Sequence, residues 1–168
     1  MKRALIIDSG VGGLSVASAV RTTLPELAIA YVADNAWFPY GKRSEAELTD
    51  RLVFLVERSL SFVPCDAVVV ACNTASTVVL DALRARFDMP IVGVVPPIKT
   101  AGEVSRSRVV GLLATEATVT RPYVQRLKEQ FAADCKITPL GLPRLAEIAQ
   151  EKLRGIPVNR EELRELLR

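Results

Sequence analysis

Histidine is absent from this sequence. Without an imidazole, Ser-His-Asp and Cys-His catalysis and the usual zinc sites are excluded, so we expect no metal. Acid or base chemistry then falls to Cys, Asp, Glu, Lys or Tyr. The three cysteines, Cys65, Cys72 and Cys135, cannot all pair and match no zinc or redox spacing. We therefore expect free thiols in a reducing compartment.

Neither a dominant charge nor a long apolar run is present. The 22 Lys and Arg residues nearly balance 19 Asp and Glu residues, and a net charge of +3 does not indicate a nucleic-acid or anionic-membrane partner. The apolar stretch that follows Met1 ends at Asp8, which argues against a signal peptide. The longest runs fall far short of the roughly 18 to 20 residues that cross a bilayer. We expect a soluble, cytoplasmic protein without nucleic-acid or membrane partners.

Apolar runs alternate with helical patterns along the whole chain, in which 49% of residues are hydrophobic. Such alternation predicts an α/β fold whose largely parallel sheet is covered by helices on both faces, a three-layer arrangement. The double proline at 96–97 predicts a boundary between a first domain, 1–97, and a second α/β domain, 98–168. Predicted strands are 4–8, 29–33, 67–71, 91–95, 109–114 and 136–140. Predicted helices are 13–23, 45–62, 74–87, 98–105, 120–133, 145–153 and 160–167.

Polar residues follow several of these strands, at the edge where parallel sheets bind ligands. They are Asp8 and Ser9, the segment after Asp34, Cys72 to Thr74, and Thr115. The glycine-rich run after Asp8 has Ser15 where a dinucleotide fingerprint needs glycine, so we favour a plain tight turn over phosphate binding. The aromatic and basic loop 37–44 is equally compatible with a ligand site and with packing over the core.

Cys72 lies between a buried strand and the start of a predicted helix. A helix N-terminus favours the thiolate, so this position predicts a thiol pKa below about 8.5. The alternative is a structural cysteine, because cysteine is a common buried apolar residue. Asn73 and Thr74 favour a ligand site, although they can also cap a helix. Cys65 and Cys135 precede their strands, at the opposite edge, and are interpreted as structural.

Five sequence blocks together resemble the glutamate racemases of bacterial cell-wall synthesis. The blocks are DSGVGGLSV at 8–16, PYGKRS at 39–44, ACNTAS at 71–76, VGVVPP at 92–97 and GLLATEATVTRPYV at 111–124. The resemblance covers essentially the whole chain. Glu116-Ala117 departs from the Arg-Gly or Pro-Gly expected there, which puts the local turn in question.

The resemblance implies an isomerase that racemises glutamate without a cofactor and supplies D-glutamate for peptidoglycan. Two facing cysteines act as acid and base, and Cys72 matches one of them, with Asp8 assisting the proton transfer or orienting the ammonium group. The substrate contacts that it implies are Asp8, Ser9, Tyr40, Gly41, Asn73 and Thr74, with Thr115 and Thr118 lining the site. A homodimer is compatible with this interpretation.

The resemblance also implies a second cysteine, in a Gly-Cys-Thr-His motif that lies beyond Arg168. The second domain is therefore expected to be incomplete, and the chain alone is expected not to racemise glutamate. Two alternatives remain open. One is a non-catalytic remnant that keeps the amino-acid pocket or only the fold, and the other is a racemase for aspartate or another amino acid.

Overall fold

The predicted strands form parallel sheets, and the α/β class is confirmed. The structure, a computed structural model, describes residues 1–167. It divides into two compact units, Met1–Val95 and a second that begins at Pro96. In the described part of the chain, no helix combines the length and apolar character that crossing a membrane requires.

The first unit is a four-stranded sheet in the order β2-β1-β3-β4. Its strands are β1 (Arg3–Asp8), β2 (Ala28–Ala33), β3 (Ala67–Val70) and β4 (Ile91–Gly93). Its helices are α1 (Leu14–Thr23), α2 (Glu45–Phe62), α3 (Asn73–Ser76) and α4 (Leu80–Arg86), with 3₁₀ turns at Asn35–Trp37 and Tyr40–Lys42. Because all the pairings are parallel, the carboxyl ends of β1, β2 and β3 meet at one edge.

Burial in this unit follows the apolar pattern of the sequence. Five of the six residues of β1 are buried, as expected for a central strand covered on both faces. Helix α2 begins with a capping box between Ser44 and Glu47 and buries Leu48, Leu52 and Val56, which recur every four residues. These side chains pack with residues of β1 and β3 in one core.

The predicted helix 74–87 is interrupted. The structure has α3 over Asn73–Ser76 and α4 over Leu80–Arg86, and the connecting residues are Thr77, Val78 and Val79. Three consecutive β-branched side chains disfavour continuous helix. The Thr77 hydroxyl also donates to the Thr74 carbonyl at 2.8 Å, a local bond that competes with the helical pattern. The helix that follows Cys72 is therefore a single turn.

The second unit pairs two strands, β5 (Val109–Ala114) and β6 (Lys136–Gly141). Its helices are α5 (Ile98–Val104), α6 (Glu116–Val119), α7 (Pro122–Phe131), α8 (Leu145–Leu153) and α9 (Arg160–Leu166). The small core is formed by Ile98, Val124, Ala132 and Cys135, with Leu112 and Ile137 packed against it. Burial on both faces was predicted for β5, but Val109 and Leu113 are more than half exposed, because this core lies on one face only.

Candidate active site

The polar residues that end β1, β2 and β3 lie beside one another at the carboxyl edge of the first sheet. The Asp34 amide donates to the Asp8 carbonyl at 2.8 Å, and the Ala71 amide donates to the Ile7 carbonyl at 2.8 Å. These bonds continue the parallel ladder and bring Asp8, Asp34 and Cys72 together. This is the edge at which open α/β sheets bind ligands.

Asp8 is 6% exposed and organises the glycine-rich turn. Its Oδ2 accepts hydrogen bonds from the amides of Gly10 at 3.2 Å and Gly13 at 3.0 Å. Among the described residues, none donates to Oδ1. The second carboxylate oxygen can therefore accept from a cationic ligand, while the first holds the turn in place.

Cys72 occupies the N-cap position of α3 and is partly exposed. Interactions with the backbone amides of Ala75 and Thr74 and with the side chain of Ser9 lower the pKa of its thiol. Desolvation of the sulfur, followed by the nearby charge of Asp8, outweighs these interactions and raises the pKa of the thiol to about 11. At neutral pH, Cys72 is therefore a thiol.

The predicted low pKa of Cys72 is wrong for a physical reason. The prediction assumed a long helix after the cysteine, whereas α3 contains only four residues, and a single turn has a small dipole. Desolvation and the neighbouring carboxylate oppose the thiolate. The geometry holds a protonated sulfur beside an acid and several hydrogen-bond donors.

Tyr40 and Gly41 belong to the 3₁₀ turn that packs against α3. The Tyr40 side chain is 1% exposed, and its hydroxyl donates to Asp34 Oδ2 at 2.9 Å. It cannot also point at a ligand. Within residues 1–167, neither backbone amide of Tyr40 and Gly41 has an acceptor, so the contact predicted for this turn would come from the main chain.

The other residues predicted at this edge are also near the sulfur. Ser9 is 7% exposed and Thr74 is 5% exposed, and both lower the pKa of the Cys72 thiol, whereas Asn73 is exposed at the start of α3. Ser76 does not face a ligand, because its hydroxyl donates to the Val70 carbonyl at 3.0 Å. The first unit thus assembles the predicted Asp8, Ser9, Cys72, Asn73 and Thr74 in one place.

Tyr31 is a neighbour of this site that the sequence analysis missed. Its hydroxyl donates to the Gly10 carbonyl at 3.1 Å. Its pKa is raised to about 12, chiefly by burial and also by the charges of Asp8 and Cys72. The sequence feature that could have indicated Tyr31 is its hydroxyl, the single one in the otherwise apolar strand β2, which pairs with the strand that ends at Asp8.

Thr115 and Thr118 lie in the second unit, at the carboxyl end of β5. The Thr115 hydroxyl caps α6 by accepting from the Thr118 amide at 3.3 Å, and the two hydroxyl oxygens are 2.9 Å apart. The unusual Glu116-Ala117 pair forms the first turn of α6. Thr118 is 1% exposed.

Each of the two remaining cysteines precedes a strand, at the amino edge of its own sheet. Cys65 precedes β3, and its thiol donates to the Val63 carbonyl at 3.3 Å. Cys135 is buried in the core of the second unit, just before β6. In residues 1–167, no group of three or more His, Cys, Asp or Glu side chains is placed to hold a metal ion.

The raised thiol pKa predicts how Cys72 reacts with pH. Alkylation by iodoacetamide, measured for each cysteine by peptide mass spectrometry, should reach half of its maximal rate near pH 11. In urea, all three cysteines should titrate near the unperturbed value of about 8.5. A midpoint at or below about 8.5 in the folded chain would show a stabilised thiolate instead.

Substitutions of Asp8 and Ser9 should move this midpoint in opposite directions. Burial, the largest cause of the raised pKa, is kept in both variants. Asp8→Asn removes a negative charge but keeps an oxygen that can accept from Gly10 and Gly13, so the pKa should fall. Ser9→Ala removes a donor to the sulfur, so the pKa should rise. Shifts of the same sign in both variants would contradict this electrostatic account.

Comparison with known proteins identifies the relatives of this chain. The sequence pattern of the family described as Asp/Glu/Hydantoin racemase matches residues 14–168. The glutamate racemase of Erwinia tasmaniensis is 52% identical over 163 residues, which are 97% of this chain and 58% of that protein. The chain therefore spans less than two thirds of the length of this relative.

Solved structures agree with the sequence comparison. The Escherichia coli glutamate racemase, in complex with L-glutamate and the activator UDP-MurNAc-Ala, superposes with a TM-score of 0.94 at 47% identity, covering 99% of this chain and 62% of that one. The isoform RacE1 of Bacillus anthracis gives a TM-score of 0.80 at 33% identity, covering 92% of this chain and 58% of that one. This chain belongs to the Asp/Glu/Hydantoin racemase family.

Proposed function

We propose that this chain supplies the Cys72 side of a cofactor-independent glutamate racemase, which converts L-glutamate to D-glutamate for peptidoglycan. The observation that carries the proposal is the position of Cys72 beside Asp8 at the carboxyl edge of the first sheet, where interactions with Ser9 and two backbone amides favour the thiolate. The relatives named above support the choice of substrate, because they are glutamate racemases and one of them holds L-glutamate.

Racemisation requires that a proton leave Cα on one face and that another arrive on the opposite face. In the resting protein Cys72 is a thiol, so it is ready to donate. A base on the far face takes the Cα proton, and the Cys72 thiol then gives its proton to the carbanion and becomes a thiolate. In the reverse direction the Cys72 thiolate removes the proton. No metal, pyridoxal phosphate or redox step enters this sequence.

Asp8 couples substrate binding to the charge of the sulfur. An ammonium group at Asp8 Oδ1 would offset the negative charge that raises the Cys72 pKa. Binding of an amino acid thereby brings the thiol and thiolate forms closer in free energy. The backbone amides of Tyr40 and Gly41 can hold a carboxylate group, as amide donors do in oxyanion sites.

The partner base is the remaining component of the mechanism. Cys65 and Cys135 are not the candidates, because each lies at the amino edge of the sheet in its own unit, opposite the edge at which such sheets bind ligands. We infer that a second thiol acts on the far face, as the two-cysteine mechanism requires. Thiol chemistry of this kind suits the reducing cytoplasm. The homodimer stays a prediction, to be checked by analytical ultracentrifugation.

The decisive assay follows optical rotation and Cα deuterium uptake of L-glutamate in D₂O. It is run on the 168-residue chain and on any longer protein that the same reading frame encodes, which is called the full length here. We expect both signals from the full length, with L-aspartate as the specificity control. Deuterium uptake without loss of rotation by the chain alone would locate one acid/base group in it. Absence of both signals at the full length, or a preference for aspartate, would overturn the proposal.

A further inference from the structure

A buried ionic network lies behind the proposed active site. Asp34 is 4% exposed at the end of β2. The Arg51 guanidinium forms a bidentate ion pair with its carboxylate: Nε donates to Oδ2 at 2.9 Å, and Nη2 donates to Oδ1 at 2.6 Å. The Tyr40 hydroxyl donates to the same Oδ2 at 2.9 Å. The network thus joins strand β2, helix α2 and the Tyr40–Lys42 turn through one carboxylate.

Each member of the network is held from another side. The Asp34 amide is bonded to the Asp8 carbonyl, which fixes Asp34 to the strand that carries the proposed acid. The Arg51 guanidinium also lies 5.2 Å from the centre of the Trp37 ring. Trp37 receives a second guanidinium, that of Arg43, at 5.1 Å. These contacts limit the freedom of the whole segment from Asp34 to Arg43.

The same turn touches the site on its other side. Tyr40 lies in one buried cluster with Ala75, and Cys72 packs against that cluster. The Tyr40–Lys42 turn packs against α3, and Cys72 occupies the N-cap position of that helix. A displacement of Tyr40 would therefore open the apolar surroundings of Cys72 to water.

We propose that Asp34 and Arg51 are positioning residues, which clamp the Tyr40 hydroxyl and so hold the Tyr40–Lys42 turn against the Cys72 sulfur. This inference rests on the proposed role of Cys72 and adds two residues that need not touch the substrate. If position 40 served only to fill the core, an apolar side chain would suffice, and it would not bury a hydroxyl group that needs a hydrogen-bond partner. The hydroxyl, its acid and the bidentate arginine instead fix the turn by directional bonds.

The test uses Tyr40→Phe in the complete 168-residue chain. This change keeps the buried ring and removes only the bond to Asp34. Loss of one hydrogen bond to a charged group should make opening of the turn easier and raise the alkylation rate of Cys72 by about tenfold. Water entry would also weaken the burial that raises the thiol pKa, so both effects have the same sign. The readout is the Cys72 rate relative to Cys65 in the same unit.

The matched control is Val56→Ala, which shortens a buried core side chain on α2, the helix that also carries Arg51. It lowers stability without touching Asp34, so it should leave the ratio of the Cys72 and Cys65 rates unchanged. Circular dichroism melts establish that every variant is folded at the assay temperature. If the ratio rose equally in Val56→Ala and Tyr40→Phe, the faster alkylation of Cys72 would be a consequence of lower stability alone, and the proposal would be overturned.

Arg51→Lys supplies the second variant. Lysine keeps a positive charge beside Asp34 but cannot form the bidentate hydrogen bonds of the guanidinium. The alkylation rate of Cys72 should therefore rise less than in Tyr40→Phe. Both changes act through Asp34, so the double variant should show less than the product of the single effects. The proposal would be overturned if the alkylation rate of Cys72 were unchanged in Tyr40→Phe. It would also be overturned if the effects of Tyr40→Phe and Arg51→Lys multiplied in the double variant. Because the assay contains no glutamate, its outcome is separate from that of the racemisation assay.

Discussion

Cys72→Ala is expected to lower kcat/KM for glutamate racemisation by a factor of about 10²–10⁴ in both directions, the usual loss when one acid/base group is removed. The alanine variant keeps the Cα proton acceptor on the far face in one direction but has no group that returns a proton from the near face. In the other direction it has no base at all. Circular dichroism of reactions started from each enantiomer, using the full length of the reading frame, measures both rates.

The other two cysteines provide the controls for this prediction. Cys65→Ala and Cys135→Ala should retain racemisation, because Cys65 lies at the amino end of β3 and Cys135 is a core residue of the second unit. Cys72→Ser tests acidity, since a hydroxyl is a much weaker acid than a thiol and should restore little of the rate. Normal turnover by Cys72→Ala would remove this residue from the mechanism.

Gly13→Ala is expected to destabilise the first unit by about 1–3 kcal/mol, the range for an overpacked site, and to disrupt the turn that holds Asp8. A Cβ at Gly13 would lie 2.7 Å from Asp8 Cβ, 2.8 Å from the Tyr31 hydroxyl and 3.0 Å from Ala71 Cβ. Two of these atoms are fixed to the backbone and cannot move aside. The backbone of Gly13 has φ of −64°, which any residue adopts, so the whole effect is steric.

Its neighbour Gly12 is the matched control. A Cβ there would meet only Asp8 Oδ2 at 3.5 Å, which is ordinary van der Waals contact, so Gly12→Ala should remain close to wild type. Urea denaturation gives the free energy of unfolding of both variants, and Cys72 alkylation reports the site. Equal stability of Gly12→Ala and Gly13→Ala would show that the glycine-rich turn is looser than described.

The sequence predicted the central strands and the position of Cys72 because these depend on local patterns. Strand β1 is a continuous apolar run that ends in Asp8, and the parallel topology then places every strand end at a common edge. The bounds of α2 follow from Ser44, Glu47 and the apolar spacing. Such features are readable from neighbouring residues alone.

The features that were missed depend on contacts between distant residues. Arg51 lies 17 positions after Asp34, and no local pattern links the two side chains. Tyr40 was predicted as a substrate-binding residue, and the sequence did not indicate that its hydroxyl donates to Asp34. The pKa of Cys72 depends on desolvation and on Asp8, which lies on another strand. Burial and long-range electrostatics become definite only when the sheet has formed.

Protection of Cys72 by glutamate is the most direct test of the central claim that glutamate binds against this sulfur. The chain is alkylated with iodoacetamide at increasing concentrations of L- or D-glutamate, and each cysteine is followed by peptide mass spectrometry. We expect a saturable decrease in the alkylation rate of Cys72, with Cys65 and Cys135 unaffected. No protection of Cys72 at any glutamate concentration, or equal protection of all three cysteines, would contradict the claim.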